Sequence, residues 1–151
     1  MQIEELNASD IELFDKVKTL LLTRHDPVKH VVAAGVRTVS GEIYLGLHLG
    51  SRRVNVCAES SAIANAEMAG DHQIDTMVAL CLDDDERAIV TNPCGVCREL
   101  MGTYCLDAKV VIDYDGAVRK LPAPALMPQR WLFPHENNWI VEDPIAAKET
   151  N

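Results

Sequence analysis

The sequence is short of basic residues and has no extended basic segment. Of its 151 residues, 14 are Lys or Arg and 23 are Asp or Glu, which gives a formal net charge of −9. No basic run exceeds two residues, as at Arg52-Arg53 and Arg119-Lys120. Nucleic-acid-binding proteins neutralise phosphates with clustered Lys and Arg, and an acidic chain is repelled by nucleic acids and anionic membranes. The composition therefore predicts neither partner and favours a small-molecule substrate.

Long apolar runs and export signals are also missing. No apolar run approaches the ~18 residues that a membrane span needs. The first ten residues carry acids and lack the basic and then apolar order of a signal peptide. We therefore expect a cytoplasmic protein. A chain of 151 residues suits a single domain, 1–151, whose core needs no disulfides.

The cysteine count is odd, which argues against a disulfide framework. The five cysteines are Cys57, Cys81, Cys94, Cys97 and Cys105. In a cytosolic chain, the close Cys94-x-x-Cys97 pair indicates metal or redox chemistry instead. Cys81 lies in an apolar run and Cys105 follows a predicted helix, so both are expected to be buried small hydrophobic residues.

Hydrophobic periodicity and turn residues predict helices alternating with strands. Ser9 and Glu12 have the spacing of a capping box, which predicts a helix from near Asp10 to the Asp26-Pro27 pair. Further helices are predicted over 57–69 and 94–104, and strands over 30–38, 42–49, 74–82, 88–91 and 109–114. This order is typical of a three-layer α/β fold. Segment 121–151 holds five of the seven prolines and both tryptophans, so we expect a C-terminal arm.

Three cysteines stand at the starts of two predicted helices. They occur in Cys-Ala-Glu at 57–59 and in Pro-Cys-Gly-Val-Cys at 93–97. A helix N-terminus lowers the pKa of a thiol, and thiolates are the form that binds zinc. Three protein ligands leave the fourth tetrahedral position open to water, which is typical of catalytic zinc. The pattern therefore predicts a Zn²⁺ site on Cys57, Cys94 and Cys97.

Glu59 supplies a candidate proton carrier beside that site. It stands two residues beyond Cys57, close enough to take a proton from water in the open position and to pass it to a leaving amine. Zinc nucleobase deaminases have this signature, in which Glu follows the first ligand by two and Pro-Cys-x-x-Cys comes later. Two other kinds of cysteine site explain this pattern less well. A thioredoxin-like redox pair needs no third cysteine, and a four-cysteine zinc ribbon needs a second close pair, which the sequence lacks.

The sequence resembles the cytidine deaminase family in its three-cysteine form. The resemblance rests on Gly-Glu-Ile-Tyr-Leu-Gly at 41–46, Cys-Ala-Glu at 57–59 and Asn-Pro-Cys-Gly-Val-Cys-Arg-Glu-Leu at 92–100, and covers about 30–114. It implies an α/β/α fold with a five-stranded mixed sheet, zinc on the three cysteines, and Glu59 as proton shuttle. It also implies a homotetramer, or failing that a homodimer, whose neighbouring subunits wall each active site.

The resemblance also indicates which residues would meet the substrate. By position, Ala58 and the Asn92-Pro93 stretch would contact the amine and the ring. His48 and Gly50 stand where nucleoside deaminases carry the Asn and Glu that hold ribose hydroxyls. His48 is therefore a candidate hydrogen-bonding residue for substrate, with a purely structural role as the alternative. The link from this strand to Cys57 is shorter than in the nucleoside deaminases, and in this spacing the sequence is similar to the blasticidin S deaminases.

Two further sets of residues are candidates at the site. Arg98 would offset the negative charge of three thiolates, with Arg52 and Arg53 as further candidates or simply as exposed loop residues. An aromatic side chain of the arm would cover the base or else pack on the core, and the candidates are Trp131, Phe133 and Trp139.

The predicted function is hydrolytic deamination of a free cytosine-type nucleoside or a related aminated heterocycle, with release of ammonia. The alternatives are a zinc-binding protein without activity, a deaminase of another aminated base or pterin, and a polynucleotide deaminase, against which the acidic charge argues.

Overall fold

Three α-helices and eight strands make up the fold in the computed structural model, which describes residues 2–136. The helices are α1 (Ala8–Arg24), α2 (Ala58–Met68) and α3 (Gly95–Tyr104). The strands are β1 (Val32–Thr38), β2 (Ile43–Leu47), β3 (Leu49–Gly50), β4 (Asn55–Val56), β5 (Ile74–Leu82), β6 (Ala88–Val90), β7 (Lys109–Tyr114) and β8 (Ala117–Pro122). No helix in this described part is long and apolar enough to cross a membrane.

Five strands form the continuous path of a mixed sheet, in the order β2-β1-β5-β7-β8. β5 and β7 are parallel, the other neighbours on this path are antiparallel, and short β6 pairs antiparallel with β5. β3 and β4 form a separate two-stranded hairpin. The predicted α/β fold with a five-stranded mixed sheet is therefore confirmed.

The sheet lies between helices, as the alternation of side chains along β5 shows. Val78 and Leu80 point into a core formed with Leu13, Val17 and Leu21 of α1. Met77 and Ala79, on the opposite face of the same strand, belong to the core that contains α2 and α3. Because successive strand residues face opposite sides, one central strand serves both cores.

Helix α1 begins at Ala8, slightly before the predicted start near Asp10. Asn7 is the N-cap in extended conformation, and its side chain accepts the N–H of Asp10 at 3.0 Å. The Asp10 carboxylate in turn accepts the N–H of Asn7 at 2.9 Å. The predicted Ser9/Glu12 capping box is therefore wrong, because the Asn7/Asp10 pair occupies that role.

The strands also differ from prediction at two places. The predicted strand 42–49 divides at His48, whose N–H donates to the Val32 carbonyl at 2.9 Å. Strand β8 was not predicted. It follows Asp115 and Gly116, which both have positive φ, as in the tight turn of a hairpin. Leu121, predicted to begin the arm, instead lies buried in β8.

Helix α2 packs unusually close to β2 at Gly46. A Cβ atom placed there would lie 2.2 Å from the Ala58 carbonyl oxygen and 2.3 Å from the Ala62 nitrogen. The missing side chain therefore lets the first turns of α2 rest directly on the strand. This contact sets the position of the helix start that carries Cys57 and Glu59.

Candidate active site

The starts of two helices bring the three predicted cysteines together. Cys57 is the N-cap of α2 and Cys94 is the N-cap of α3, and Cys97 follows in the first turn of α3. The three Sγ atoms all lie within 4.8 Å of one another. The Sγ atoms of Cys57 and Cys94 are 3.4 Å apart. Residues 37 positions apart in the chain thus form one cluster.

The surroundings affect the three thiols differently. Burial acts to raise the pKa of Cys94, but hydrogen bonds from the backbone N–H groups of Cys97 and Val96 and from the neighbouring thiols outweigh it, so the pKa is lowered. Burial and the contact with Cys94 raise the pKa of Cys57. Burial and the nearby Glu59 carboxylate raise the pKa of Cys97. Cys94, at the exposed helix start, therefore loses its proton most readily of the three.

Glu59 lies against the thiol cluster. Its side chain is only 5% exposed, and Oε2 is 3.5 Å from the Sγ of Cys97. The carboxylate projects from the first turn of α2, where the helix N-terminus favours negative charge. A buried acid and three thiols therefore share one point of the molecule.

The donor set fits zinc. A Zn–S distance of ~2.3 Å in a tetrahedron places sulfur atoms about 3.8 Å apart, which the observed spread of the Sγ atoms brackets. Packing three ionisable thiols beside a buried carboxylate also calls for a cation to offset their charge. Soft sulfur donors select zinc over magnesium or calcium. Cys57, Cys94 and Cys97 can therefore hold the ion, with Glu59 beside it.

A cavity of about 180 Å³ opens onto this cluster. Besides Glu59 and the two cysteines at the helix starts, its lining includes Val32, His48, Ala58, Thr91 and Asn92. Val32 and Thr91 were not singled out in the sequence. Val32 is the first residue of β1 and Thr91 directly follows β6, and only the strand order places them beside this cavity.

His48 lines the cavity, but both of its ring nitrogens are engaged by protein. The Val31 N–H donates to Nδ1 at 3.0 Å, so Nδ1 is the acceptor and the proton resides on Nε2. Nε2 then donates to the Asn55 side-chain oxygen at 2.8 Å. Sequence reasoning did not identify Asn55, because its partner depends on how β3 pairs with β4.

The other predicted substrate and charge-offsetting residues brace the loop before Cys94. Asn92 exchanges two hydrogen bonds with the backbone of Asp113, at 3.1 and 2.8 Å. Arg98 donates to the carbonyl oxygens of Pro93 at 2.8 Å and Leu126 at 3.0 Å. The hydrogen bonds of Arg98 in the described structure thus go to carbonyls and not to sulfur. Its charge-offsetting role stays a prediction.

The aromatic candidates of the arm are exposed where they are described. Trp131 and Phe133 are 67% and 54% exposed, and their rings contact each other edge to face at 4.7 Å. They therefore do not pack on the core of this chain. Trp139 lies outside the described residues, so its role at the site stays a prediction.

Comparison with known proteins places this geometry in a family. Residues 8–113 match the family model for the cytidine and deoxycytidylate deaminase zinc-binding region. The chain belongs to this family. It is therefore a zinc-binding deaminase-family hydrolase that acts on C–N bonds.

Individual relatives agree with the assignment to the deaminase family. Blasticidin-S deaminase of Bacillus cereus is 34% identical over 137 residues, covering 87% of this chain and 98% of the relative. The cytidine deaminase of Bacillus anthracis superposes with a TM-score of 0.69 at 25% identity, over 83% of this chain and 90% of that one. The Burkholderia pseudomallei cytidine deaminase shares the fold, with a TM-score of 0.68 at 22% identity over 83% of this chain and all of its own.

Proposed function

We propose that this deaminase acts on a free cytosine-type nucleoside or a related aminated heterocycle, including antibiotics of the blasticidin type. The reaction replaces an exocyclic amine by oxygen. Water adds to the ring carbon, the C–N bond to the amine breaks, and ammonia leaves. The observation that carries the proposal is the buried Glu59 carboxylate 3.5 Å from Cys97, in the wall of a cavity open to the thiol cluster.

The residues around the cavity divide the chemical work. Cys57, Cys94 and Cys97 would hold zinc, which supplies Lewis acidity to activate water at neutral pH. Glu59 takes a proton from the attacking water and delivers it to the ring nitrogen next to the reacting carbon. Glu59 then takes the proton of the newly added hydroxyl and delivers it to the departing amine, which leaves as ammonia as the C–O bond becomes a carbonyl. Ala58 and Asn92, in the cavity wall, together with the adjoining Pro93, orient the ring and amine.

The mechanism is tested by Glu59→Gln, which removes the proton carrier and keeps the shape of the side chain. We expect zinc to remain bound at one ion per chain while ammonia release from cytidine falls by roughly 10²–10⁴-fold, the usual contribution of general acid–base catalysis. Glu99→Gln makes the same change at an exposed position of α3 and should keep full activity. Undiminished turnover in Glu59→Gln would disprove the proposed mechanism.

The same proposal includes a homotetramer, or a homodimer, in the cytoplasm. Exposed apolar side chains support self-association, since Ile11 and Leu22 of α1 and Trp131 of the arm are 48%, 52% and 67% exposed. A reducing compartment keeps the three thiols available as ligands, which supports the location. Light scattering on the purified protein measures the number of subunits.

A further inference from the structure

The hairpin of residues 49–56 carries the two adjacent arginines, and we call it the Arg hairpin. Its strands pair Leu49 with Val56 and Gly50 with Asn55. At the tip, the Ser51 N–H donates to the Val54 carbonyl at 2.9 Å, and the Val54 N–H donates to the Ser51 hydroxyl at 3.0 Å. These bonds close the turn, so Arg52 and Arg53 are presented from a defined backbone.

The base of the Arg hairpin is joined to the active site. Cys57 follows Val56 directly, and the Asn55 side chain accepts from His48 of the cavity wall at 2.8 Å. The Gly50 N–H donates to the Lys29 carbonyl at 2.8 Å, and a Cβ at Gly50 would lie 2.4 Å from the Val28 carbonyl. The base of the Arg hairpin therefore has a set position beside the cavity wall.

The two arginines of the tip have no acidic partner among residues 2–136. Both are exposed, and among residues 2–136 no carboxylate lies within ion-pair distance of either. Arg37, Arg87 and Arg119 each form such a pair. In a chain with a net charge of −9, two adjacent unpaired guanidinium groups mark the hairpin as a local positive surface.

Within residues 2–136 of a single chain, the cavity is smaller than a typical ligand pocket. Its 180 Å³ lies below the ~300–1,000 Å³ of pockets that enclose drug-sized ligands. Its polar side chains His48 and Asn92 already hydrogen-bond to protein atoms. The cavity of one chain therefore has room for the aminated ring, which leaves the rest of the substrate outside it.

We propose that the Arg hairpin binds an anionic group, a carboxylate or a phosphate, on the part of the substrate that lies outside the cavity. The inference rests on the proposed deaminase function and names its preferred substrate class. Guanidinium groups bind both anions bidentately, and two side by side suit a group of one or two charges. The acidic remainder of the surface disfavours a longer polyanion.

The first test compares four ligands that share the cytosine ring. They are cytidine, cytidine 5′-monophosphate, the 5′-carboxylic acid of cytidine and the neutral amide of that acid. We expect kcat/KM of the carboxylate or the phosphate to exceed that of the amide by roughly tenfold at low salt, because two exposed charge-assisted contacts contribute about 1.4 kcal/mol together. The advantage should shrink as salt rises. Comparing the two anions shows which source the site prefers.

Variants then assign the effect to the Arg hairpin. In Arg52→Gln/Arg53→Gln, the ratio of kcat/KM for anion over amide should fall to near one, mainly through KM, and Arg52→Lys/Arg53→Lys should restore part of it. Arg119→Gln is the matched control, because it removes one positive charge on β8, at the opposite edge of the sheet from β2. The ratio in Arg119→Gln should equal that of the wild type.

Binding measured in Glu59→Gln separates this inference from the proposed function. Calorimetric Kd values for the carboxylate and the amide should differ by the same roughly tenfold factor without any turnover. Equal Kd values, or a ratio that survives in the double glutamine variant, would overturn the anion-binding proposal. A preserved difference in Kd with no ammonia from any of the four ligands in the wild type would support the hairpin proposal and refute the proposed turnover of cytosine nucleosides.

Discussion

At the scale of single residues, the candidate active site consists of four side chains at the starts of two helices. Cys57, Cys94 and Cys97 contribute the sulfur cluster, and Glu59 lies against it in a buried position. In the sequence, His48 is also a candidate site residue, but its two ring nitrogens form hydrogen bonds with Val31 and Asn55. A polar residue beside a cavity therefore has to be judged by its partners, because a satisfied ring has no free group for a ligand.

Replacing one sulfur donor tests the metal site at this scale. We expect Cys97→Ser to weaken zinc binding at least roughly hundredfold, because a hydroxyl is a poor zinc ligand beside two thiols. The rise in melting temperature on adding zinc should largely disappear.

Cys105→Ser is the matched control for the zinc measurement. Cys105 is buried like Cys97 but lies outside the three-sulfur cluster, and burial raises the pKa of its thiol to about 12. It should bind zinc with wild-type affinity, whatever it loses in stability. Normal zinc affinity in Cys97→Ser would show that the ion is held elsewhere.

At the scale of elements, the site depends on how closely α2 approaches β2. Gly46 allows the carbonyl of Ala58 and the nitrogen of Ala62 to rest on the strand backbone. The same helix start presents Cys57 and Glu59. The glycine was visible in the sequence, but its reason was not, since the packing partner lies in another element.

Gly46→Ala should therefore disturb both stability and the site. The added methyl meets backbone atoms that cannot rotate away, so we expect a loss of about 3 kcal/mol in unfolding free energy, the upper end for overpacking. Zinc affinity should fall as well, because α2 has to shift. Urea denaturation and a zinc titration measure the two effects.

Gly95→Ala provides the comparison for stability. Gly95 begins α3, and a Cβ there meets nothing within 4 Å. Its unfolding free energy should stay within about 0.5 kcal/mol of the wild type. Equal stability of the two alanine variants would contradict the close contact at Gly46.

At the scale of the whole molecule, a buried charge network joins distant parts of the chain. Asp10 is 1% exposed at the start of α1, and it pairs with Lys120 of β8 at 2.8 Å and with Arg37 of β1 at 3.2 Å. Glu4 adds ion pairs to Lys109 and Lys120. The N-terminal segment and α1 are therefore joined to the sheet through two carboxylates, Glu4 and Asp10.

Stability should depend on pH through Asp10. Burial acts to raise its pKa, but the hydrogen bond from Asn7 and the contacts with Lys120 and Arg37 outweigh it, so the folded pKa lies below 3.8. A depressed pKa stabilises the fold above the unfolded value, and this contribution is lost as pH falls through the folded value. Asp10→Asn should cost about 3 kcal/mol at pH 7, because it leaves buried cations unpaired.

Denaturation of wild type and variant at several pH values measures this dependence. The difference between them should begin to shrink below about pH 4, where Asp10 of the unfolded chain takes up a proton, and should shrink further as pH falls toward the lower pKa of folded Asp10. Glu12→Gln, at an exposed position of α1 with a pair to Lys16 at 4.0 Å, should change stability by less than about 0.5 kcal/mol. A difference between Asp10→Asn and wild type that is constant from pH 3 to 7 would contradict the assignment.

Short-range features of the chain could be predicted from the sequence. The spacing of Cys-Ala-Glu and Pro-Cys-x-x-Cys predicted helix starts that present thiols, and the three sulfurs do converge. The α/β order was predicted from the pattern, and the mixed sheet from the resemblance to the deaminase family. The helix starts and the ligand spacing could be predicted because they depend on residues within a few positions of one another.

Long-range partners became visible only in the folded chain. β8 pairs with β7 across the Asp115-Gly116 turn. Arg98 donates to the carbonyl oxygens of Pro93 and Leu126, and the Asn55 side chain accepts a hydrogen bond from His48. Each of these contacts joins groups whose proximity depends on the packing of whole elements. Local spacing therefore indicates the metal and the reaction, whereas the sheet order and the hairpin determine what surrounds the substrate.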